Sequence, residues 1–119
     1  MELIPKELRE RMLANGWRNI EHTLKDEEPE DFAPVIKLFC PWGSATWLLT
    51  ELDPEDPDIA FGLCDLGMGF PELGRVSLME IKAVKGPGGL TIERDLYFRA
   101  EKSLRAYADE AHSEGRIEA

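Results

Sequence analysis

The sequence predicts an α+β fold: a small antiparallel β-sheet of about four strands, arranged as a meander, with short N-terminal, middle and C-terminal helices. Apolar residues recur at helical spacing near both ends of the chain, and strand-like apolar runs separated by short connectors fill its middle. A capping-box sequence, SLME, separates those runs from a last strand-like run. With 119 residues, 43% of them hydrophobic, we expect one domain over residues 1–119.

The first element is a short helix in PKELRERMLANG. Pro5 suits a first helical position, and Gly16 is expected to end the helix. The polar, acidic residues that follow have no sustained period, which predicts an acidic loop at about 17–33.

Three strand-like runs come next, over residues 34–40, 45–52 and 59–67. The connectors Pro41–Ser44 and Asp53–Asp58 are rich in turn-forming residues. Because they are too short for parallel crossovers, the three runs are expected to pair antiparallel.

The rest of the chain alternates turns and short elements. Residues 67–74 contain three glycines and a proline and predict an irregular loop. Ser77 is expected to cap a short helix, and period-two alternation over 90–98 predicts another strand. A C-terminal helix is expected between Ser103, its cap, and Gly115, its stop.

Charge is the strongest compositional signal. The formal net charge is −10, and residues 21–58 hold eleven acids and two bases, a net of −9. Such a field repels phosphate backbones, so direct nucleic-acid binding is not expected, whereas a basic protein partner is. The alternative is a solvated acidic surface that only aids solubility.

The residues predicted to bind that partner are mostly acids of this region, with one tryptophan beside a connector. They are Glu27, Glu28, Glu30, Asp31, Glu55, Asp56, Asp58 and Trp42. The tryptophan has a structural alternative, in which it covers the edge of the core.

A metal site is the second interpretation of the carboxylates. Glu51 and Asp53 stand two residues apart at a strand end, so their side chains would share a face about 7 Å apart. Asp65 or Asp95 could complete an oxygen site for a divalent cation such as Mg²⁺ or Mn²⁺. The alternative is that these acids belong to the turn, and on that alternative no cofactor is expected.

Glu93, Arg94 and Asp95 form a third candidate site. Alternation places Glu93 and Asp95 on one face and Arg94 on the other, with the apolar residues. A partly buried guanidinium needs acceptors, and Asp65 or Glu72 are the expected partners. The catalytic alternative uses a carboxylate as general base and Arg94 to hold an anionic substrate.

Four motifs together resemble a bacterial family of unknown function, DUF2958. They are TWLLTELDPEDPD (Thr46–Asp58), FGLCDLG (Phe61–Gly67), PELG (Pro71–Gly74) followed by Ser77-Leu78, and IERDLYF (Ile92–Phe98). The resemblance implies a small α+β domain encoded in bacteria, often in plasmid-like or integrated mobile regions. It implies no reaction and no catalytic residues.

The function predicted from these observations is that of a non-enzymatic accessory or interaction protein that presents an acidic surface to a basic, DNA-binding partner. The alternative is a small metal-assisted hydrolase or nuclease-like enzyme. No apolar run reaches the ~20 residues that span a bilayer, so a soluble cytoplasmic protein without membrane contact is expected. The oligomeric state is left open.

Overall fold

A computed structural model describes residues 2–119 and has the α+β fold that the sequence predicts, with five strands in one antiparallel sheet. The elements in chain order are α1 (Lys6–Leu24), β1 (Ile36–Phe39), β2 (Thr46–Asp53), β3 (Asp56–Asp65), β4 (Glu72–Ser77), α2 (Leu78–Ala83), a 3-10 turn (Pro87–Gly89), β5 (Glu93–Arg94) and α3 (Leu104–Glu114).

The first four strands form the predicted meander, and β5 joins the free side of β1, which gives the order β4-β3-β2-β1-β5. Every pairing is antiparallel. The sheet therefore has two edges that carry different sequences, the six-residue β4 and the two-residue β5.

A β-bulge in β2 decides which side chains reach which face. Leu49 pairs with Gly62 and Glu51 with Phe61, so Thr50 is an extra residue. Its hydroxyl donates to the Phe61 carbonyl at 3.3 Å. As a result Leu49 and Leu52, three residues apart, both join the same core cluster.

Helices cover both faces of the sheet. Leu38 and Leu49 pack on one face with Met12 of α1 and Ile81 of α2. On the other face α3 packs its buried residues against Leu48 and other side chains of the central strands. The strict alternation of Leu48 and Leu49 between the two clusters follows from the side-chain period of a strand.

The first helix is longer than the sequence predicts, and Gly16 does not end it. A Cβ at Gly16 would lie 2.0 Å from the Leu52 carbonyl oxygen, so this glycine permits a close approach of α1 to β2. The helix continues to Leu24 and stops beside Asp26, whose φ is 56°. The predicted acidic loop at 17–33 is therefore wrong over its first eight residues, 17–24.

The sheet also differs from the prediction in detail. The connector Asp53–Asp58 is only a two-residue turn at Pro54 and Glu55, since Asp53 pairs with Asp56. The loop expected at 67–74 ends early because Glu72 begins β4, a strand that the sequence analysis missed. The strand expected over 90–98 is reduced to Glu93–Arg94.

Both predicted caps are confirmed. The Ser77 hydroxyl accepts a hydrogen bond from the Glu80 N–H at 3.2 Å, and the Ser103 hydroxyl accepts one from the Ala106 N–H at 3.2 Å. Gly115, with φ 75°, ends α3 in the left-handed conformation that glycine favours.

Candidate interaction surface

A cleft of about 390 Å³ lies where the second half of α1 meets the turn between β2 and β3. Its carboxylates are Glu51, Asp53 and Glu55, and among the described residues that line it Arg75 is the one cation. The remaining walls are largely apolar and include Ile20, Leu24, Leu52, Pro54, Ile59 and Phe61. We call this region, with the loop that follows Leu24, the acidic end.

Glu51 is the most constrained carboxylate of the acidic end. The Asn19 amide donates to both of its oxygens, at 3.0 and 3.2 Å, and the Thr50 hydroxyl lies 3.5 Å away. Burial raises the pKa of Glu51, and the hydrogen bond from Asn19 opposes that rise. A half-buried carboxyl with a perturbed pKa in a cleft is a typical candidate site group.

Asn19 also fixes the acidic loop. Its side-chain oxygen accepts the Glu30 N–H at 2.7 Å, and its amide lies 3.5 Å from the Glu30 carbonyl. Asn19 thus joins α1, β2 and the loop. Asn19 was not predicted as a site residue because the predicted helix stopped at Gly16; extending the helical period past that glycine would have placed Asn19 on the buried face.

The other missed residue is Arg75, which lies on the undetected β4. Its guanidinium is 3.8 Å from Asp53, whose other oxygen accepts the Glu55 N–H at 2.9 Å. Asp53 therefore belongs to the turn, as the structural alternative to the metal site expects.

The predicted partner-binding acids of the loop divide into two kinds. Glu30 pairs with Arg18 at 2.6 Å, Glu27 lies 2.9 Å from His22, and Asp31 accepts the Arg105 N–H at 3.1 Å. These three hold the loop to α1 and α3. In contrast, Glu28 is exposed and makes no hydrogen bond to another described residue.

The same acids change the pKa of His22. Hydrogen bonds from its ring to Glu27 and Glu30 raise the pKa of His22, because both carboxylates favour the charged imidazolium.

The same division holds in the β2–β3 turn. Glu55 and Asp56 are exposed, as an interaction surface requires. Asp58 instead accepts from the Ser77 hydroxyl at 2.6 Å and from the Met79 N–H at 2.8 Å, and these bonds lower its pKa. Asp58 therefore holds the start of α2.

Trp42 lies at the edge of the core, as the structural alternative to partner binding expects. It packs against the core cluster of α1, and a Cβ at Gly86 would lie 2.4 Å from its ring. The ring therefore covers the edge of the core, at a point where only glycine leaves room for it.

The four carboxylates of the predicted metal site do not come together. Glu51 and Asp53 stay at the acidic end, whereas Asp65 pairs with Thr46 at the far end of β3 and accepts the Gly67 and Ile117 N–H groups. Asp95 lies beside β1, with its N–H donating to Lys37. Within residues 2–119 no group of three or more His, Cys, Asp or Glu is arranged to hold a metal ion.

The pairing of β5 confirms the predicted alternation. Arg94 lies opposite Leu38 on the α1 face, and Glu93 lies opposite Phe39 on the other face. The expected ion pair of Arg94 is wrong, however. Asp65 stands three strand spacings away and Glu72 four, about 14 and 19 Å across the sheet.

Arg94 instead lines a second cleft, of about 630 Å³, which we call the β5 groove. Its Nε atom is buried and has no hydrogen-bond acceptor among the described residues. The other walls come mainly from Lys37 and Phe39 of β1 and from residues 89–97.

Comparison with known proteins gives a family but no activity. No curated protein and no solved structure matches the chain. No helix in the described part of the chain is both long enough and apolar enough to cross a membrane. A family model matches residues 3–118, and the chain therefore belongs to the family described as protein of unknown function, DUF2958.

Proposed function

We propose that the chain is an interaction protein whose acidic end binds a basic protein partner. The observation that carries the proposal is the composition of the cleft there, with three carboxylates and one cation set between apolar walls. Exposed Glu28, Glu55 and Asp56 extend the negative surface around it.

The cleft suits a lysine or arginine side chain of the partner. The methylene groups of such a side chain would pack on Ile20 and Leu24, while its charged head reaches Glu51 or Glu55. A hydrogen bond between two charged groups is stronger than one between neutral groups, and a partly enclosed site screens it less than bulk water does. Leu24 is 81% exposed and offers the partner an apolar contact.

The charge distribution supports a protein partner that itself handles nucleic acid. A surface that repels phosphate attracts the lysines and arginines that bind phosphate. Occupying the DNA-binding surface of such a protein is the form of this function that we propose.

The test is affinity capture from the host lysate with a matched pair of triple variants. The first, Glu28→Gln/Glu55→Gln/Asp56→Asn, removes three exposed acids of the acidic end without touching the hydrogen bonds of Glu30, Asp31 or Asp58. The second, Glu101→Gln/Asp109→Asn/Glu114→Gln, removes the same charge from exposed positions in and just before α3.

The proposal expects a basic protein that the wild type and the α3-side variant retain and that the first variant releases. Duplex DNA should displace it, and the difference between the two variants should shrink as salt rises. Equal binding by both variants at low salt would contradict the proposal.

A further inference from the structure

The β5 groove differs from the acidic end in that a buried atom of one of its charged side chains has no hydrogen-bond partner within the described chain. It is lined by two cations, Lys37 and Arg94, and three acids, Glu2, Glu93 and Asp95. Lys37 is already satisfied, since its ammonium lies 3.6 Å from Asp95 and donates to the Ala119 carbonyl at 2.6 Å. Arg94 is the cation left for a ligand.

The guanidinium of Arg94 is held where the protein's own carboxylates do not reach it. Glu93 is directed to the opposite face by the alternation of β5. Asp95, on that same face, is engaged by Lys37, and its other oxygen accepts the Tyr97 N–H at 2.9 Å. The Nε atom is buried without an acceptor, which is unfavourable, and a bound molecule that supplies an acceptor to the guanidinium would lower that cost.

The walls of the groove define the rest of the ligand. Leu90, Leu96 and Tyr97 are exposed apolar or aromatic side chains, and Tyr97 is 91% exposed. An apolar or aromatic body would bury surface against these side chains.

The neighbouring acids favour a singly charged anion over a doubly charged one. Glu2, Glu93 and Asp95 outnumber the two cations by one, so a doubly charged phosphate would meet more repulsion than a singly charged carboxylate. A guanidinium binds a carboxylate through two parallel hydrogen bonds.

From this geometry we infer that the β5 groove binds a small organic monocarboxylate, with the carboxylate on Arg94 and an apolar or aromatic body against Leu90, Leu96 and Tyr97. The site is independent of the acidic end, so it stands or falls separately from the proposed partner binding.

The first test measures the unfolding temperature of the whole chain with and without phenylacetate. A titration with phenylacetate then measures how strongly it binds. Acetate, which lacks the aromatic body, and phenyl phosphate, which carries a second charge, serve as comparison probes. We expect phenylacetate to raise the unfolding temperature of the wild type and of Arg99→Gln, an exposed arginine outside the groove. Arg94→Gln should abolish the rise, and acetate and phenyl phosphate should bind at least several-fold more weakly.

A second pair of variants tests whether Arg94 and Tyr97 serve the fold and not the ligand. Without any probe, Arg94→Met should unfold at the wild-type temperature or above it, because it removes a buried donor that lacks an acceptor. Tyr97→Ala should weaken phenylacetate several-fold and leave acetate unchanged.

Three results would overturn the inference. They are no response of the wild type to phenylacetate at millimolar concentration, an equal response in Arg94→Gln, or a large loss of stability in Arg94→Met, which would mean that the guanidinium already has an internal acceptor.

Discussion

The acidic end and the β5 groove both hold dense charge, but they use it differently. At the acidic end several acids accept hydrogen bonds from the chain: Glu51 from Asn19, Asp53 from Glu55, and Glu30 from Arg18. In the β5 groove the buried Nε atom of Arg94 lacks an acceptor. The number of charges in a region therefore does not tell how many of them are free to bind a partner, because the fold engages several of the acids at the acidic end.

The close approach of α1 to β2 builds the acidic end, and breaking it should have the largest effect of any change made there. Gly16→Ala places a methyl group 2.0 Å from the Leu52 carbonyl, and backbone cannot move aside as a side chain can. We expect a loss of about 3 kcal/mol in the free energy of unfolding, measured by urea titration.

Gly74→Ala is the matched control for that loss, because a Cβ there has nothing within 4 Å. It should be neutral or slightly stabilising, since alanine reduces the freedom of the unfolded chain. Equal stability of the two variants would mean that α1 does not approach β2 at Gly16.

Asn19→Ala tests the hydrogen bonds that join α1 to β2 and to the loop. It leaves Glu51 without the amide donor and the Glu30 N–H without its acceptor. We expect a loss of about 2 kcal/mol. Asn15→Ala, which removes a single bond to the Thr50 carbonyl, should cost about half as much. A larger cost for Asn15→Ala would place the junction elsewhere on α1.

Glu51→Gln tests the buried charge itself. Because burial raises the folded-state pKa of Glu51, its contribution to stability is fully present below the unfolded pKa, about 4.3, and is lost as pH rises through the raised value. Glutamine does not ionise, so the variant does not lose this stability as pH rises. It should be more stable than the wild type at pH 7, by less than about 1 kcal/mol, and the difference should vanish near pH 4. A difference independent of pH would contradict the raised pKa.

How much of this the sequence could predict depends on the range of the interactions. The caps at Ser77 and Ser103 and the alternation of Glu93 and Arg94 are local and were predicted correctly. Gly16 misled the prediction because its role depends on Leu52, 36 positions away in the chain.

The missed strand β4 has a similar cause. Glycine and proline in residues 67–74 predict a loop, and only pairing with β3 makes a strand of the residues from Glu72 onward. The partner of Arg94 was wrong for a topological reason, since chain order does not reveal that β5 pairs with β1 rather than with β3 or β4.

The smallest expected effect lies at β5 and sharpens the comparison. Tyr97→Ala should change the free energy of unfolding by less than about 0.5 kcal/mol, because the ring is 91% exposed. The other tyrosine, Tyr107, is only 4% exposed and packs in the α3 cluster, so Tyr107→Ala should cost about 3 kcal/mol or more by the same urea titration. A substantial loss in Tyr97→Ala would make its ring a structural group. If instead stability is kept while phenylacetate binding falls, the ring contributes to binding and not to folding, which is the opposite of what Asn19 does at the acidic end.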